Sequence, residues 1–169
     1  KMYLNGDFGS HADDVSPYAA SAFFAVDRFV SHALKWGQFL KEGGIIIADR
    51  YVTSNMVHQA AKIEDLTEKD KFLDWLRDFE YNKLGLPVPK AVIFLDMPPE
   101  AAEALMAERN NKFTGAAEKD IHERDNNYLK KAYDNALYVA KKSGWHMVKC
   151  TENKKIRSLD EIQKDIIKI

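Results

Sequence analysis

Cysteine is almost absent from this sequence, since Cys150 is the only one among 169 residues. No disulfide can form within the chain, so we expect a reducing compartment, the cytoplasm. The sequence also lacks the apolar run of about 18–20 residues that a membrane-spanning helix requires, and a basic segment followed by an apolar leader. The formal net charge of −1 removes the broad basic surface typical of nucleic-acid binding. We therefore expect a soluble protein that has neither a membrane nor a nucleic acid as its partner.

Apolar residues, in contrast, are plentiful. They make up 46% of the chain, enough for the core of a single domain that spans residues 1–169. Three apolar runs predict strands, and segments with helical periodicity separate them: Ile45–Ala48, Ala91–Asp96 and Trp145–Cys150. Strands joined by helical crossovers pair in parallel. The predicted fold class is therefore α/β, a three-layer parallel sheet with helices on both faces.

Capping and turn residues predict where the helices begin and end. Ser16 followed by Pro17 indicates the start of a helix that runs towards Leu40 and ends before two glycines. A second long helix is predicted from Thr67, as its N-cap, to about Lys83. The other predicted helices cover residues 54–63, the segment that begins at Pro98, residues 121–142 and residues 159–167.

The strand predicted at Ile45–Ala48 ends in a group of chemically versatile side chains. Asp49, Arg50 and Tyr51 follow it directly, and ligands of parallel α/β sheets bind beyond the carboxyl ends of the strands. There an aspartate can hold a hydrated Mg²⁺ ion, and an arginine can bind phosphate oxygens with two N–H groups. The alternative is a structural ion pair at the end of a strand.

Three passages together resemble the thymidylate kinases, a family of P-loop nucleoside-monophosphate kinases. The first is the helix segment Phe23–Arg28, and the second is Asp49-Arg50-Tyr51 with Ser54 and Asn55 after it. The third is the segment Val92–Glu100, which is similar to the fourth strand of the family and its following helix. The order of the three passages is that of the family, and they span nearly the whole chain. The resemblance implies a fold of the P-loop kinase type.

One family motif is missing from the chain. The Gly-x-x-x-x-Gly-Lys-Ser/Thr loop binds the phosphates of the nucleoside triphosphate, and no such loop occurs here. The segment Gly6–Gly9 has the wrong spacing and no lysine. Lys1 rather than methionine opens the sequence. We therefore expect the natural protein to be longer, with the phosphate loop and the first strands of the sheet upstream.

The resemblance implies roles for four residues in binding the acceptor nucleotide. Phe24 would stack on the thymine ring, and Arg28 would reach the monophosphate or the edge of the base. Asp49 would hold Mg²⁺ or orient the acceptor phosphate, and Arg50 would bind that phosphate, so these two are the predicted catalytic residues. The alternative is that Phe24 packs in the core and that Arg28 pairs with Asp27 or Glu42.

Three further residues are implied to contact the base and the sugar. The side chain of Asn55 offers one donor and one acceptor, which suits the imide edge of thymine. His58 occupies the position where the family often has tyrosine or phenylalanine near the sugar. Whether the site excludes a ribonucleotide, which carries a 2′-hydroxyl, therefore stays open. Gln59 would contact the sugar or the base, or else lie on the surface.

Residues 109–120 resemble the lid that closes over the phosphate donor in the family. Arg109 is the residue expected to contact the adenine or the triphosphate of ATP. Lys112 and Arg124 either contribute to the same binding or are solvated.

The resemblance implies an ATP- and Mg²⁺-dependent kinase that converts dTMP to dTDP. Two alternatives stay open: a kinase with another nucleotide or nucleoside as acceptor, and a noncatalytic nucleotide-binding module. The family also implies a homodimer that packs through long helices, including Ser16–Leu40. Phe23, Phe29 and Val30 would contribute to that interface, unless they belong to the core.

Overall fold

The computed structural model describes residues 7, 14–112 and 126–169, with the side chains of 106–112 and 126–127 outside that description. The chain divides into two compact units, residues 1–88 and 89–169. The single domain over residues 1–169 stays a prediction. Of the helices in the described ranges, none combines the length and the apolar character needed to cross a bilayer.

All regular secondary structure in the described part of the first unit is helical. Its α-helices are α1 (Pro17–Ser31), α2 (Gly37–Lys41), α3 (Val52–His58) and α4 (Leu66–Arg77). Two π-helical turns continue α1 and α4, at His32–Trp36 and Asp78–Lys83, and a 3₁₀ turn at Ala60–Lys62 follows α3. The helix predicted from Ser16 towards Leu40 is thus confirmed, with a π-helical turn within it.

Aromatic side chains connect α1 to α4 in this unit. The ring of Tyr18 lies edge-on to Phe72 and Trp75, at 5.1 Å and 4.7 Å between centroids. Phe72, Leu73 and Leu76 on α4 are completely buried. Such rings bury large apolar areas and prefer edge-on geometry, so they hold α1 against α4.

The N-cap of α4 differs from the predicted one. Asp65 takes that place, and its carboxylate accepts a hydrogen bond from the backbone N–H of Glu68 at 2.9 Å. Thr67 lies within the helix instead. An ionised carboxylate satisfies the free N–H groups of a first turn better than a hydroxyl because charge strengthens the bond.

The strand predicted at Ile45–Ala48 is wrong. This segment has no regular secondary structure, and the side chains of Ile45 and Ile47 are 86% and 95% exposed. A strand exists only through hydrogen bonds to a neighbour, and no strand in the described ranges pairs with these residues. Within the described residues, the apolar run therefore has no strand partner, and the side chains of Ile45 and Ile47 are not covered.

The second unit contains the sheet. Strands β1 (Ile93–Asp96) and β2 (His146–Lys149) pair in parallel, with Ile93 opposite His146 and Asp96 opposite Lys149. Both strands were predicted, and their parallel pairing confirms the α/β class. The helices of this unit are α5 (Pro99–Lys112), α6 (Asn126–Ser143) and α7 (Leu159–Ile167).

A short hairpin that was not predicted joins β2 to α7. Strands β3 (Thr151–Glu152) and β4 (Lys155–Ile156) are antiparallel, and Asn153 and Lys154 between them have φ of 49° and 62°. Two such residues form the turn whose twist matches paired strands. Ser158 and Glu161 then form a capping box that starts α7.

Candidate functional site

Phe24 and Arg28 lie four residues apart on α1 and therefore share a helix face. Phe24 is partly buried, and the side chain of Arg28 is 13% exposed. Nη2 of Arg28 donates to the backbone carbonyl of Tyr51 at 2.9 Å, and the guanidinium lies 5.4 Å from the centre of the Tyr51 ring. Arg28 thus connects α1 to the residue that precedes α3.

Glu80 is the ionic partner of Arg28. Nη1 of Arg28 donates to Oε2 of Glu80, which lies 52 positions further along the chain. The alternative pairing with Asp27 or Glu42 is therefore wrong. The side chain of Glu80 is completely buried, and removal of a carboxylate from water is costly unless donors surround it.

Asn55 donates to the same carboxylate from α3. Its Nδ2 lies 3.1 Å from Oε1 of Glu80 and 3.3 Å from the backbone carbonyl oxygen of Ser21 on α1. Asn55 is only 2% exposed. Burial raises the pKa of Glu80, and the charge of Arg28 together with the hydrogen bond from Asn55 acts in the opposite direction. Each oxygen of Glu80 thus faces a residue predicted to bind the nucleotide, Arg28 or Asn55.

A π-helical turn brings Glu80 to this position. In the turn Asp78–Lys83, the N–H of Leu84 donates to the carbonyl of Phe79 at 2.9 Å, five residues back. The carbonyl of Glu80 itself accepts from Leu86 N–H at 3.0 Å. Turns of this kind are rare and often occur at functional sites. The widened turn directs Glu80 into the unit instead of towards solvent.

Asp49 and Arg50 are both exposed and precede Tyr51, the N-cap residue of α3. Arg50 has φ of 68°, a left-handed conformation that costs a residue with a Cβ about 1–2 kcal/mol. Nε of Arg50 donates to the hydroxyl of Ser54 at 3.1 Å, and the ion pairs within the described ranges include no acidic partner of Arg50. Non-glycine residues held in this region occur preferentially at ligand-binding and active sites.

Tyr51 packs against Arg28 and Trp36. Its hydroxyl donates to the carbonyl of Pro87 at 3.0 Å, and Trp36 lies edge-on to its ring. Burial of the phenol, together with the nearby Tyr81, raises the pKa of Tyr51 above its usual range. The residue therefore remains a neutral phenol and serves the packing beneath Arg28.

His58 and Gln59 lie at the C-terminal end of α3. Gln59 is 1% exposed, and its N–H donates to the carbonyl of Asn55 at 2.9 Å. The alternative that Gln59 is a surface residue is therefore wrong. His58 is partly buried. Contact of either residue with a sugar or base stays a prediction.

The predicted lid residues fall largely outside the described residues. Arg109 and Lys112 belong to the backbone of α5, which continues to residue 112, although a loop was expected from Arg109 onwards. Their side chains, residues 113–120 and Arg124 are outside the description. Their roles stay predictions.

The end of β1 carries an acid with one described partner in the second unit. The hydroxyl of Tyr133 on α6 donates to Oδ1 of Asp96 at 2.7 Å, and burial together with this bond raises the pKa of Tyr133 to about 12. Cys150 is buried and its pKa is raised, chiefly by burial. A thiol of that kind is unreactive.

Carboxylates, histidines and cysteines do not gather into a metal cluster in the described part of the chain, where no group of three or more occurs. Mg²⁺ does not need such a group, because it is commonly held by one or two carboxylates together with substrate phosphates. The exposed carboxylate of Asp49 fits that kind of site.

Glu80 is the functional candidate that sequence reasoning missed. It belongs to no motif, and it lies 52 positions from one partner and 25 from the other. The one local signal was the position of this glutamate between two aromatic residues, Phe79 and Tyr81.

Comparison with known proteins shows which family the chain is similar to. The family model for thymidylate kinase matches residues 7–162. A thymidylate kinase of Mycobacterium tuberculosis is 34% identical over 123 residues, which cover 72% of this chain and 55% of the relative. A probable thymidylate kinase of Pyrobaculum aerophilum is 29% identical over 105 residues (62% and 47%), and a thymidylate kinase of Caenorhabditis elegans is 34% identical over 89 residues (53% and 36%).

The chain therefore belongs to the thymidylate kinase family, as the sequence predicted. The family has the P-loop α/β fold, so the predicted fold type is confirmed. The chain spans about half the length of the curated relatives it matches.

Proposed function

We propose that the protein transfers the γ-phosphoryl group of ATP to dTMP, which gives dTDP and ADP. The observation that carries this proposal is the match of the family model to residues 7–162, a range that includes every residue predicted to bind either nucleotide. The described first unit supplies the acceptor side of the reaction.

Asp49 and Arg50 act on the acceptor phosphate in this proposal. Arg50 is exposed and held at φ of 68° beside Asp49, so its guanidinium is available to a phosphate. Asp49 would hold Mg²⁺, which would supply positive charge to the phosphate oxygens. Phosphoryl transfer requires mainly in-line positioning and charge neutralisation, which these two side chains supply.

The base and sugar are bound by residues of α1 and α3. Phe24 stacks on the thymine ring, a contact worth about 1–3 kcal/mol per base. Arg28 and Asn55 read the edge of the base, and His58 and Gln59 contact the sugar. Arg109, Lys112 and Arg124 bind the donor ATP. The protein acts in the cytoplasm.

Phosphoryl transfer by the full-length protein tests the proposed function. With ATP and Mg²⁺, kcat/KM is expected to be highest for dTMP, lower for dUMP and lowest for dCMP. The reason is that dUMP lacks the methyl group of thymine, and dCMP lacks both the methyl group and N3–H. Coupled detection of ADP measures all three rates. A dCMP rate equal to or above that of dTMP would contradict the thymine assignment, and absence of transfer to any nucleoside monophosphate would contradict the kinase.

The protein functions as a homodimer through α1 in this proposal. Four apolar side chains follow one stripe of α1 and the π-helical turn after it, with spacings of three and four residues, and each is about half exposed or more: Phe23 (52%), Val26 (54%), Val30 (45%) and Leu34 (78%). Phe29 is also 41% exposed. An apolar stripe of this length is unfavourable in water and marks a protein interface.

Introduction of a charge into this stripe is expected to separate the dimer. Val30→Glu would bury a carboxylate at the interface without a partner, so light scattering at micromolar concentration should report the dimer mass for the wild type and the monomer mass for the variant. Lys35→Glu, at an exposed polar position of the same helical segment, is the matched control and should remain a dimer. A monomeric wild type would refute the interface.

A further inference from the structure

The orientation of the Asn55 amide is determined by its neighbours. Nδ2 faces Oε1 of Glu80 at 3.1 Å and the carbonyl oxygen of Ser21 at 3.3 Å. Both neighbours are acceptors only, and the reversed amide would place Oδ1 against two oxygens. The NH₂ group is therefore committed to the protein.

The side-chain oxygen of Asn55, Oδ1, is the polar atom of this amide that a ligand can use. In the described residues, the side-chain hydrogen bonds of Asn55 use Nδ2 alone, and Oδ1 accepts none of them. A base that approaches this oxygen must offer a donor. Thymine and uracil have N3–H, whereas N3 of cytosine is an acceptor.

We infer that Glu80 is a positioning residue that sets the base selectivity of the acceptor site, because it fixes the Asn55 amide in the orientation that requires N3–H on the base. This inference rests on the proposed function. Oε2 of the same carboxylate receives the guanidinium of Arg28, so one buried group orders both residues at the base edge. The selectivity of the site is thereby set from the π-helical turn Asp78–Lys83.

Glu80→Gln is the decisive substitution because it replaces one of the two acceptor oxygens by a donor. The one oxygen left in the substituted side chain is taken by the cation of Arg28, since bonds to charged donors are the stronger ones. The new NH₂ group then faces Asn55, whose amide must reverse to accept from it. Nδ2 of Asn55 now points to the base, where it suits N3 of cytosine.

The measurement is the affinity of the full-length protein for dUMP and for dCMP by isothermal titration calorimetry. These two nucleotides lack the methyl group, so their ratio reports the N3 and C4 edge alone. In Glu80→Gln the preference for dUMP should fall by about tenfold or more, the scale of one misdirected hydrogen bond, with unchanged affinity for ATP. Glu80→Asp keeps two acceptor oxygens and should retain the preference. Glu68→Gln, which removes an exposed carboxylate of the same unit, is the matched control and should behave as wild type.

A double variant separates positioning from general support of the fold. Asn55→Ala removes the reading oxygen and should itself reduce the dUMP preference, and Glu80→Gln added to it should reduce it no further. An unchanged preference in folded Glu80→Gln overturns the inference and leaves the kinase standing. If Glu80→Gln does not fold, an unchanged preference in Asn55→Ala overturns it instead. A wild type that binds neither nucleotide, or both equally, overturns the thymine assignment on which the inference rests.

Discussion

Replacement of Arg50 by glycine is expected to remove most of the phosphoryl transfer while the protein stays as stable as the wild type. The guanidinium is the exposed cation beside Asp49, and loss of one fixed group that stabilises transition-state charge typically lowers kcat by on the order of 10²–10³-fold. The backbone of Arg50 has φ of 68°, which glycine adopts without steric cost. Relief of that cost offsets the greater freedom of glycine in the unfolded chain, so the free energy of unfolding should change by about 1 kcal/mol at most.

Arg50→Ala separates the two contributions. It loses the same cation but keeps a Cβ in the left-handed region, so it should be as inactive as Arg50→Gly and about 1 kcal/mol less stable. Urea unfolding and steady-state rates with dTMP measure both quantities. Asn153→Gly, at φ of 49° in the β3–β4 turn, controls for glycine at a left-handed position and should leave the rate unchanged. Arg50→Gly activity within a few-fold of wild type would refute the role of Arg50.

Removal of the positive charge of Arg28 is expected to be among the most destabilising single changes in the first unit. Arg28→Met keeps the apolar stem but leaves the buried Glu80 carboxylate without its cation, and loss of one partner of a buried ion pair typically costs about 3–5 kcal/mol. The double variant Arg28→Met/Glu80→Gln leaves neither charge buried and should recover much of that loss. It should not recover dTMP binding, because the cation that contacts the nucleotide is still absent.

The pH dependence of the free energy of unfolding tests the same ion pair. Burial raises the pKa of Glu80, so the contribution of this carboxylate to stability falls as the pH rises from its unfolded-state pKa through its folded-state pKa. Without Arg28 the pKa rises further, because the attraction that lowered it is gone. The destabilisation of Arg28→Met should therefore be larger at pH 8 than at pH 5 in urea unfolding. A pH-independent loss, or a double variant no more stable than Arg28→Met, would contradict the buried ion pair.

Local signals in the sequence were sufficient for the parts of the fold whose causes are local. Helix α7 was predicted at residues 159–167 from its amphipathic pattern, and it lies there, with a capping box of Ser158 and Glu161 at its start. The start of α1 after Ser16 follows in the same way from the proline at its first position. Each of these signals lies within one or two turns of the element that it determines.

The strand expected at Ile45–Ala48 failed for the opposite reason. Four apolar residues in sequence indicate a suitable strand, but the strand itself needs a neighbour that supplies its hydrogen bonds. The described residues contain no such neighbour, and Ile47 is 95% exposed. The apolar pattern showed that the segment has a composition suited to a strand, but it gave no information about a neighbouring strand.

The sequence by itself determined the family, the α/β class and the residue types at the acceptor site, because Phe24, Arg28, Arg50 and Asn55 stand in recognisable order. Only the tertiary structure decided that Arg28 and Asn55 share a buried carboxylate, and that the Asn55 amide has one orientation. Glu80 lies 52 positions from Arg28. A π-helical turn places it in the site, and no local sequence pattern predicts that turn. Long-range pairing of buried charges depends on how the helices pack, and that packing is a property of the folded chain.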